Sequence, residues 1–348
     1  MKKQGYSVQR TEKTFPSVAK YIYQPNRVTE AYYDFKLIQE RIFNAVKFQL
    51  QEAISKRMSG EDYTQLELFT DYNSNDIVLN ISLRDVAKKQ QYPIVREACK
   101  QLAGLVVSLP YKDKFNNERR IRYTGLLRAD MPQEASRTSS IRIYMEKQVA
   151  RFLIEIDRDE NNMPINYTKY HYEVIKKSRK KYTPRIYMFL CSWKSKGYKT
   201  VSLSEFRVRL GIENKYKHYR DIKKYILEPV QADLIRIKAD CWFDCNNNGF
   251  EIKERNTVTH LNFQIITPKL NEDFEKKREY VRWLLKTYFS FNENHFFELK
   301  ELIERNNPYE LIEKIDYLNK KVKEKRTEEI ANIQNYVIHS LKNEFRSS

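Results

Sequence analysis

Asn80-Ile81-Ser82-Leu83-Arg84-Asp85-Val86-Ala87 and Thr200-Val201-Ser202-Leu203-Ser204-Glu205-Phe206 carry one pattern at an offset of 120 residues. Each runs from a β-branched residue through Ser, Leu and one free position to an acid, then to an apolar side chain. This order suits a short strand that turns directly into a capped helix. The Ser oxygen accepts from a first-turn amide, and the acid three residues on returns a bond and suits the helix dipole. The matched positions are few, but the elements around them repeat as well, and that is the stronger signal.

After each copy comes a turn and a second helix, expected over Pro93 to Leu105 and roughly over Lys217 to Leu227. Alternating, strand-like sequence follows. In the first copy it runs over Leu105 to Leu109 and Arg120 to Thr124, around Asn116-Asn117-Glu118. In the second it runs over Leu234 to Lys238 and Phe250 to Lys253, around Asn246-Asn247-Asn248-Gly249, with Val258 to Ile266 behind. An amphipathic helix over Asp34 to Lys56 precedes the first copy. Phe35, Ile38, Ile42, Phe43, Val46, Leu50 and Ile54 form its stripe, Asp34 is its expected N-cap, and Ser59-Gly60 its stop. Helix, short strand, helix, turn, helix and hairpin is the order of a winged helix. The expected fold class is therefore α+β: two tandem winged-helix domains followed by a helical C-terminal extension. The expected divisions are an extended arm over 1–25, a first domain over 26–160, a second over 165–270 and an extension over 271–348. The polar stretch from Asp157 to Pro164 is the linker. The extension's helices are expected over Asp273 to Tyr288, Glu298 to Arg305 and Pro308 to Phe345, the last broken near Thr327.

The chain has 348 residues with 64 Lys+Arg against 46 Asp+Glu, a net charge of +18. Residues 166–240 hold 19 basic and 7 acidic side chains, so +12 of that excess lies in one segment, whereas residues 272–348 balance at 15 and 15. Charge concentrated in this way is the electrostatic footprint of phosphate binding. At 41% hydrophobic residues the chain can build packed cores. No apolar run reaches the roughly 18 residues of a spanning helix, and the polar start after Met1 is no signal peptide. Four Cys make no disulfide framework, so the expected setting is the reducing cytoplasm.

The helix expected from Lys217 is the focus. Tyr219, Ile222, Ile226 and Leu227 fall on one face, while Lys217, His218, Arg220, Asp221, Lys223 and Lys224 lie largely off it, with Lys215 just before. The N-terminal half of such a helix enters the major groove, where Arg and Lys reach guanine O6/N7 or hold phosphates. Asp221 can accept from a cytosine amino group or orient Arg220 or Lys224. Orientation is favoured, because an acid near phosphates is costly unless it contacts a base. The basic run Lys176-Lys177-Ser178-Arg179-Lys180-Lys181 is either a solvated loop or a set of phosphate contacts, with Arg185, Arg207 and Arg209 as additions to that face. Arg236, Lys238, Lys253 and Arg255 are wing candidates, equally explicable as surface charge. In the first unit Arg84, Lys88, Lys89, Arg96 and Lys100 form a thinner basic set, better suited to backbone contact.

The chemistry of catalysis is not visible. Seven glycines build neither GxxxxGK[ST] nor GxGxxG, so no phosphate-cradling loop is expected. Cys241 and Cys245 lack the further pair that a zinc site needs. His171, His218, His260, His295 and His339 are scattered and form neither a His-apolar-His metal motif nor part of a Ser/His/Asp set. No enzyme activity, cofactor or metal is expected.

Three pieces together resemble the theta-type plasmid replication initiator family, the iteron-binding Rep proteins with two winged-helix domains. The first is Asn26-Arg-Val-Thr-Glu-Ala31 with the helix through Gln39-Glu-Arg-Ile-Phe43. The second is Ile81-Ser-Leu-Arg-Asp85 with Tyr92 through Leu102. The most specific is Tyr182-Thr-Pro-Arg-Ile-Tyr-Met-Phe-Leu190, then Leu203, Leu210-Gly-Ile212, Tyr216, Tyr219, Ile222, Ile226-Leu-Glu-Pro229 and Asp233-Leu234. The likeness covers roughly residues 24–270, departing at Ile222, where the family often has Phe, and at Asp233, where it often has Glu. It implies that the second domain reads repeated origin sites in duplex DNA through Lys215, Lys217, His218, Arg220, Asp221 and Lys224. The first would contact backbone and mediate dimerisation. Origin opening, recruitment of host helicase and initiator, and autorepression by a dimer are implied likewise. A winged-helix transcriptional regulator without an origin role is the alternative reading, and a nickase or recombinase the more distant one.

Overall fold

The computed structural model describes residues 21–51, 76–113, 117–136, 138–324 and 332–345. The first unit opens with β1 (Tyr21–Pro25), α1 (Asn26–Glu30) and α2 (Leu37–Gln49). It continues through β2 (Asp76–Ser82), α3 (Leu83–Val86) and α4 (Tyr92–Ala103) to the hairpin β3 (Val106–Lys112) and β4 (Arg119–Gly125). β5 (Arg128–Asp130), β6 (Ser140–Glu146) and α5 (Lys147–Ile154) close it. β6 lies between β2 and β5, both antiparallel to it. The register opposes Ile77 to Met145, Leu79 to Ile143 and Ile81 to Ile141, all buried. Period-two alternation therefore puts one face of these strands in the core.

The second unit holds β7 (Tyr167–His171), α6 (Tyr172–Lys177), α7 (Thr183–Trp193), β8 (Tyr198–Ser202) and α8 (Leu203–Leu210). α9 (Tyr219–Ile222) then runs through a π turn (Lys223–Leu227) into α10 (Glu228–Ile237). The wing is β9 (Glu251–Glu254) with β10 (Thr257–Gln264), and β10 also pairs with β8. The expected strand over Leu234 to Lys238 is therefore helix. Pro229 falls inside this helix, although a proline lacks the amide and crowds the preceding turn. Here the π turn just before it absorbs the mismatch, and the helix continues. Asn246 to Gly249 leads into the wing instead of forming its tip, which is Arg255-Asn256.

The two copies of the opening pattern differ in their caps. Ser202 Oγ accepts from the Glu205 amide at 3.1 Å, as expected. Ser82 makes no such bond; α3 is only one turn long, and its Leu83 amide donates to the Ser139 carbonyl. Asp34 is not the cap of α2 either. Lys36 holds that position, its amide donating to Gln39 Oε1, and the Asp34 carboxylate binds Lys181 and Lys215 at 2.5 and 3.1 Å. Residues 1–20, Ser59-Gly60 and Asn116 lie outside the described residues, as does Thr327 with the expected break.

The expected arm ends in structure: β1 pairs antiparallel with β7 across the linker, from Tyr21 opposite His171 to Pro25 opposite Tyr167. α2 packs behind this pairing, and beside its apolar stripe it buries polar side chains. Lys47 Nζ donates to Gln24 Oε1 at 2.6 Å, and the Tyr170 hydroxyl donates to Asn44 Oδ1 at 2.6 Å and to Gln24 Oε1 at 3.1 Å. All four side chains are buried. Burial pushes the Lys47 ammonium down and the Glu40 carboxyl up, with each charge opposing the other's shift. A second tie runs through Asp233 of α10. It accepts from the Arg179 and Lys180 amides, from the Thr183 hydroxyl and from Arg236, which joins the far end of the α9–α10 helix to the start of α7.

The extension is a separate four-helix module of α11 (Pro268–Phe289), α12 (Glu293–Arg305), α13 (Pro308–Glu324) and α14 (Ile333–Phe345). Its own core includes Leu284, Leu285, Leu299, Ile303, Ile315 and Leu341. α12 starts at Glu293, earlier than expected, because Asn292 caps it by accepting from the His295 amide. The Asn248 side chain joins module to wing unit, donating to Asn306 Oδ1 and to the Phe345 carbonyl at 2.8 and 2.7 Å. Among the described residues no helix is long and apolar enough to cross a membrane.

Gly211 is the left-handed C-cap of α8 (φ 63°), and a Cβ there would lie 2.8 Å from Asp34 Cβ. Gly211→Ala is expected to cost about 2 kcal/mol or more in urea unfolding, from backbone strain plus the displaced Asp34. Asp233 offers a test in pH. Burial alone would raise its carboxyl, but the Arg179 amide, Arg236, Thr183 and the Lys180 amide outweigh burial and hold it below the ordinary value near 3.8. A carboxylate with a depressed folded pKa contributes stability above the unfolded value and loses it as pH falls through the folded one. Asp233→Asn is therefore expected to lose about 2 kcal/mol at neutral pH. The gap to the unsubstituted protein should close as pH falls below 3.8; a gap of constant size would contradict it.

Candidate nucleic-acid interface

α9 opens at Tyr219 with His218 as its N-cap residue, two residues later than the sequence suggests. Arg207 is the reason. Its guanidinium donates to the Lys215, Tyr216 and Lys217 carbonyls at 2.9, 2.7 and 3.1 Å, and Tyr216 is left-handed (φ 54°). The helix cannot begin until the chain leaves that clamp. Lys215 and Lys217 are thus turn residues, and Arg207, expected as a phosphate contact, is committed to the turn that aims α9. Arg185, expected as an addition to the basic face, is buried, lies 4.0 Å over the Tyr33 ring and donates to the Ala31 carbonyl. Arg209 is directed inward over Phe189 and pairs with Glu205.

What remains exposed at the start of α9 is Lys217, His218, Arg220 and Lys224, none of which forms an ion pair among the described residues. Their backs are fixed by the core, into which Ile222, Ile226 and Leu227 project with no solvent exposure. Asp221 forms no ion pair with Arg220 or Lys224, so the expected orienting role is not seen. Arg220 is its chain neighbour and leaves the helix in another direction, while Lys224 lies 5.4 Å from the Tyr225 ring. Lys215 is held by Asp34.

Sequence reasoning missed Glu251. From the wing strand β9 it accepts from the Tyr219 hydroxyl at 3.0 Å and from Lys223 at 2.7 Å. Burial tends to raise its carboxyl, but Lys223 and Tyr219 hold it below the ordinary carboxylate value. This carboxylate ties wing to helix, so Lys253 and Arg255 sit at a fixed place beside α9. The available signal was Tyr219 and Lys223 at i and i+4, a hydroxyl and an ammonium on one face in need of one acceptor. Lys253 also approaches Glu251, at 3.6 Å, and Arg255 (φ 56°) stands exposed at the wing tip. Lys238, expected in the wing, is the exposed left-handed C-cap of α10.

In the basic run, Arg179 and Lys180 are exposed while Asp233 holds their amides. Lys177 is exposed and lies 3.9 Å from Glu173, Lys176 pairs with Asp85 of the first unit, and Lys181 is committed to Asp34. In the first unit Lys88, Lys89 and Lys100 are exposed. The Arg96 guanidinium is spent on the Pro132 and Gln133 carbonyls at 3.1 and 2.8 Å, which makes it a loop anchor. Cys241 faces Cys191 with 3.7 Å between sulfurs, and Cys245 donates to Gln231, so the CxxxC pair does not converge. Cys191, Asp240 and Cys241 do lie together. Burial pushes the Cys191 thiol well up, and Asp240 is engaged by Lys194 and Tyr187.

Comparison with curated proteins gives no match. The chain is similar over 72% of its length to a solved structure described as the Pi initiator protein in complex with iteron DNA, covering 98% of that chain. The identity is 13% and the TM-score 0.51, a likeness of fold. Residues 21–191 match the family model described as initiator replication protein, WH1, and residues 202–265 that described as initiator Rep protein, WH2. With both winged helices matched in order and the geometry above in place, the chain belongs to the initiator Rep protein family.

Proposed function

We propose that this chain starts plasmid replication by binding direct repeats at its origin as duplex DNA. The observation that carries this reading is the set of exposed, unpaired side chains at the start of α9 (Lys217, His218, Arg220 and Lys224), held at a fixed angle by Glu251 and Arg207. A helix presented in this way fits the major groove, with Arg220 and Lys217 placed to reach purine edges and Lys253 and Arg255 of the wing to hold flanking phosphates. Arg179, Lys180, Lys177 and Lys238 supply further backbone contacts, and Lys88, Lys89 and Lys100 hold a neighbouring stretch more loosely. Arg207, Arg96 and Lys181 act by positioning. In this reading the bound protein distorts adjacent AT-rich DNA and recruits the host helicase and initiator in the bacterial cytoplasm. A homodimer represses the protein's own promoter, and no covalent step on DNA is involved.

The test is affinity for the plasmid's own repeats against scrambled duplex across a salt series. A preference for the repeats supports the reading, and equal affinity would refute it. Arg220→Ala should cost about 1–3 kcal/mol on repeat DNA and relax sequence preference. Lys180→Ala should weaken repeat and scrambled DNA alike and lower the salt slope by about 1. Repeat binding combined with failure to start replication of a plasmid carrying them would favour a transcriptional regulator.

A further inference from the structure

We propose that the outer face of the C-terminal module, between α11 and α12, binds single-stranded DNA. The module already has a closed core, so its outward side chains need no aromatic character for folding. Yet Phe297 is 83% exposed, Trp283 54% and Tyr280 43%. Single exposed apolar residues are ordinary, but a cluster rimmed by polar groups marks an interaction surface. Tyr280 and Trp283, one helical turn apart, are stacked at 5.5 Å with 13° between planes. Trp283 and Phe297 line an open cleft of about 770 Å³ together with Arg282, Lys286 and Lys300.

The cations decide the class of partner. Elsewhere in the module Arg278, Arg305, Lys314 and Lys342 are each paired with a glutamate. Among the described residues Arg282, Lys286 and Lys300 are not, and the cleft has one carboxylate, Glu293. Exposed rings with stackable surface, interleaved with unneutralised cations, are the chemistry of a single-strand site. Bases stack on the rings, and the cations follow the phosphates without reading sequence. A duplex keeps its base faces stacked inside and offers these rings nothing. The module's overall charge balance, 15 basic against 15 acidic over residues 272–348, also suits a local strand contact better than a broad duplex surface. Such a face would hold a strand released when an origin opens. To that extent it builds on the initiator reading, although the chemistry of the cleft stands without it.

The experiment uses the full-length protein and a fluorescent oligothymidylate, read by anisotropy, with repeat duplex titrated in parallel. The unsubstituted protein should bind the oligothymidylate. Trp283→Ala combined with Phe297→Ala should weaken that binding roughly ten- to hundred-fold, with duplex affinity unchanged. Trp283→Phe with Phe297→Tyr should restore it, which separates stacking from a folding defect. Unaltered oligothymidylate binding by the double-alanine protein overturns the proposal. So does no binding by the unsubstituted protein, including the case in which the same substitutions change only self-association in sedimentation. Loss of duplex preference with oligothymidylate binding intact would refute the repeat-binding reading and leave this one standing.

Discussion

Lys47 is an amine with no access to water, placed between two winged helices, where it donates to Gln24 and lies against the Phe43 and Tyr170 rings. A buried ammonium is tolerated only where partners replace its lost hydration, so the groups around it are fixed in number and place. Those partners come from β1, α2 and β7, and β1 in turn pairs with β7 across the linker. A slip of one unit against the other would break the bonds of Lys47 to Gln24 and of Asn44 to Tyr170 in a low dielectric, whereas an apolar interface could slide at small cost. The polar seam therefore specifies one arrangement. Arg41 reinforces it from the same helix by donating to the Val86 carbonyl in one unit and to the Ser178 carbonyl in the other. With the units fixed, Asp34 can reach Lys181 and Lys215, and Lys176 can reach Asp85.

Much of this was legible from residue order. The duplicated strand–helix pattern, the second helix of the first unit and the first hairpin all fall close to where periodicity puts them, whereas the second helix of the second unit runs on to Ile237. What could not be read was set by contacts distant in sequence. The run from Leu234 to Lys238 alternates like a strand, but the same apolar spacing serves the last turn of a helix once a π turn has accommodated Pro229. Asp34 has the side chain of an N-cap, and only the approach of Lys181 and Lys215 diverts it. Ser82 repeats Ser202 in chemistry but heads a helix of a single turn and makes no cap bond. At the candidate site, charge pointed to a segment and could not rank its members. Arg207, Arg96 and Arg185 look like Arg220 in sequence. Whether a guanidinium faces solvent or a backbone carbonyl depends on a loop that folds back over it.

The same distinction explains how the basic excess is used. In residues 166–240 several cations are bound by Asp34, Asp85, Asp233, Glu205 or Glu251, all at elements that aim α9 or α7. Apart from that at the buried Asp233, these pairs are partly exposed, so each contributes modestly to stability. Their larger effect is on position, because an acid that holds one lysine also determines which neighbouring lysines stay free. These acids thus fix the fold, and the segment's unpaired cations among the described residues form the outward surface.

Glu251 carries this furthest. A winged helix reads a groove with two parts, a helix and a hairpin, and a hairpin joined only through its own turn would move independently of the helix. Tyr219 and Lys223 converge on one carboxylate of β9, so the wing and the first turns of α9 present their cations as one body. At the other end of the same continuous helix, Asp233 joins α10 to the amides of the basic turn before α7. The exposed Arg179 and Lys180 are therefore referenced to the same helix as Arg220. Three cationic patches from separate stretches of chain share one rigid frame, and the spacing between them is set by the length of the α9–α10 helix. The π turn at Lys223–Leu227 enters that spacing directly, because it adds a residue between the start of the helix and Asp233.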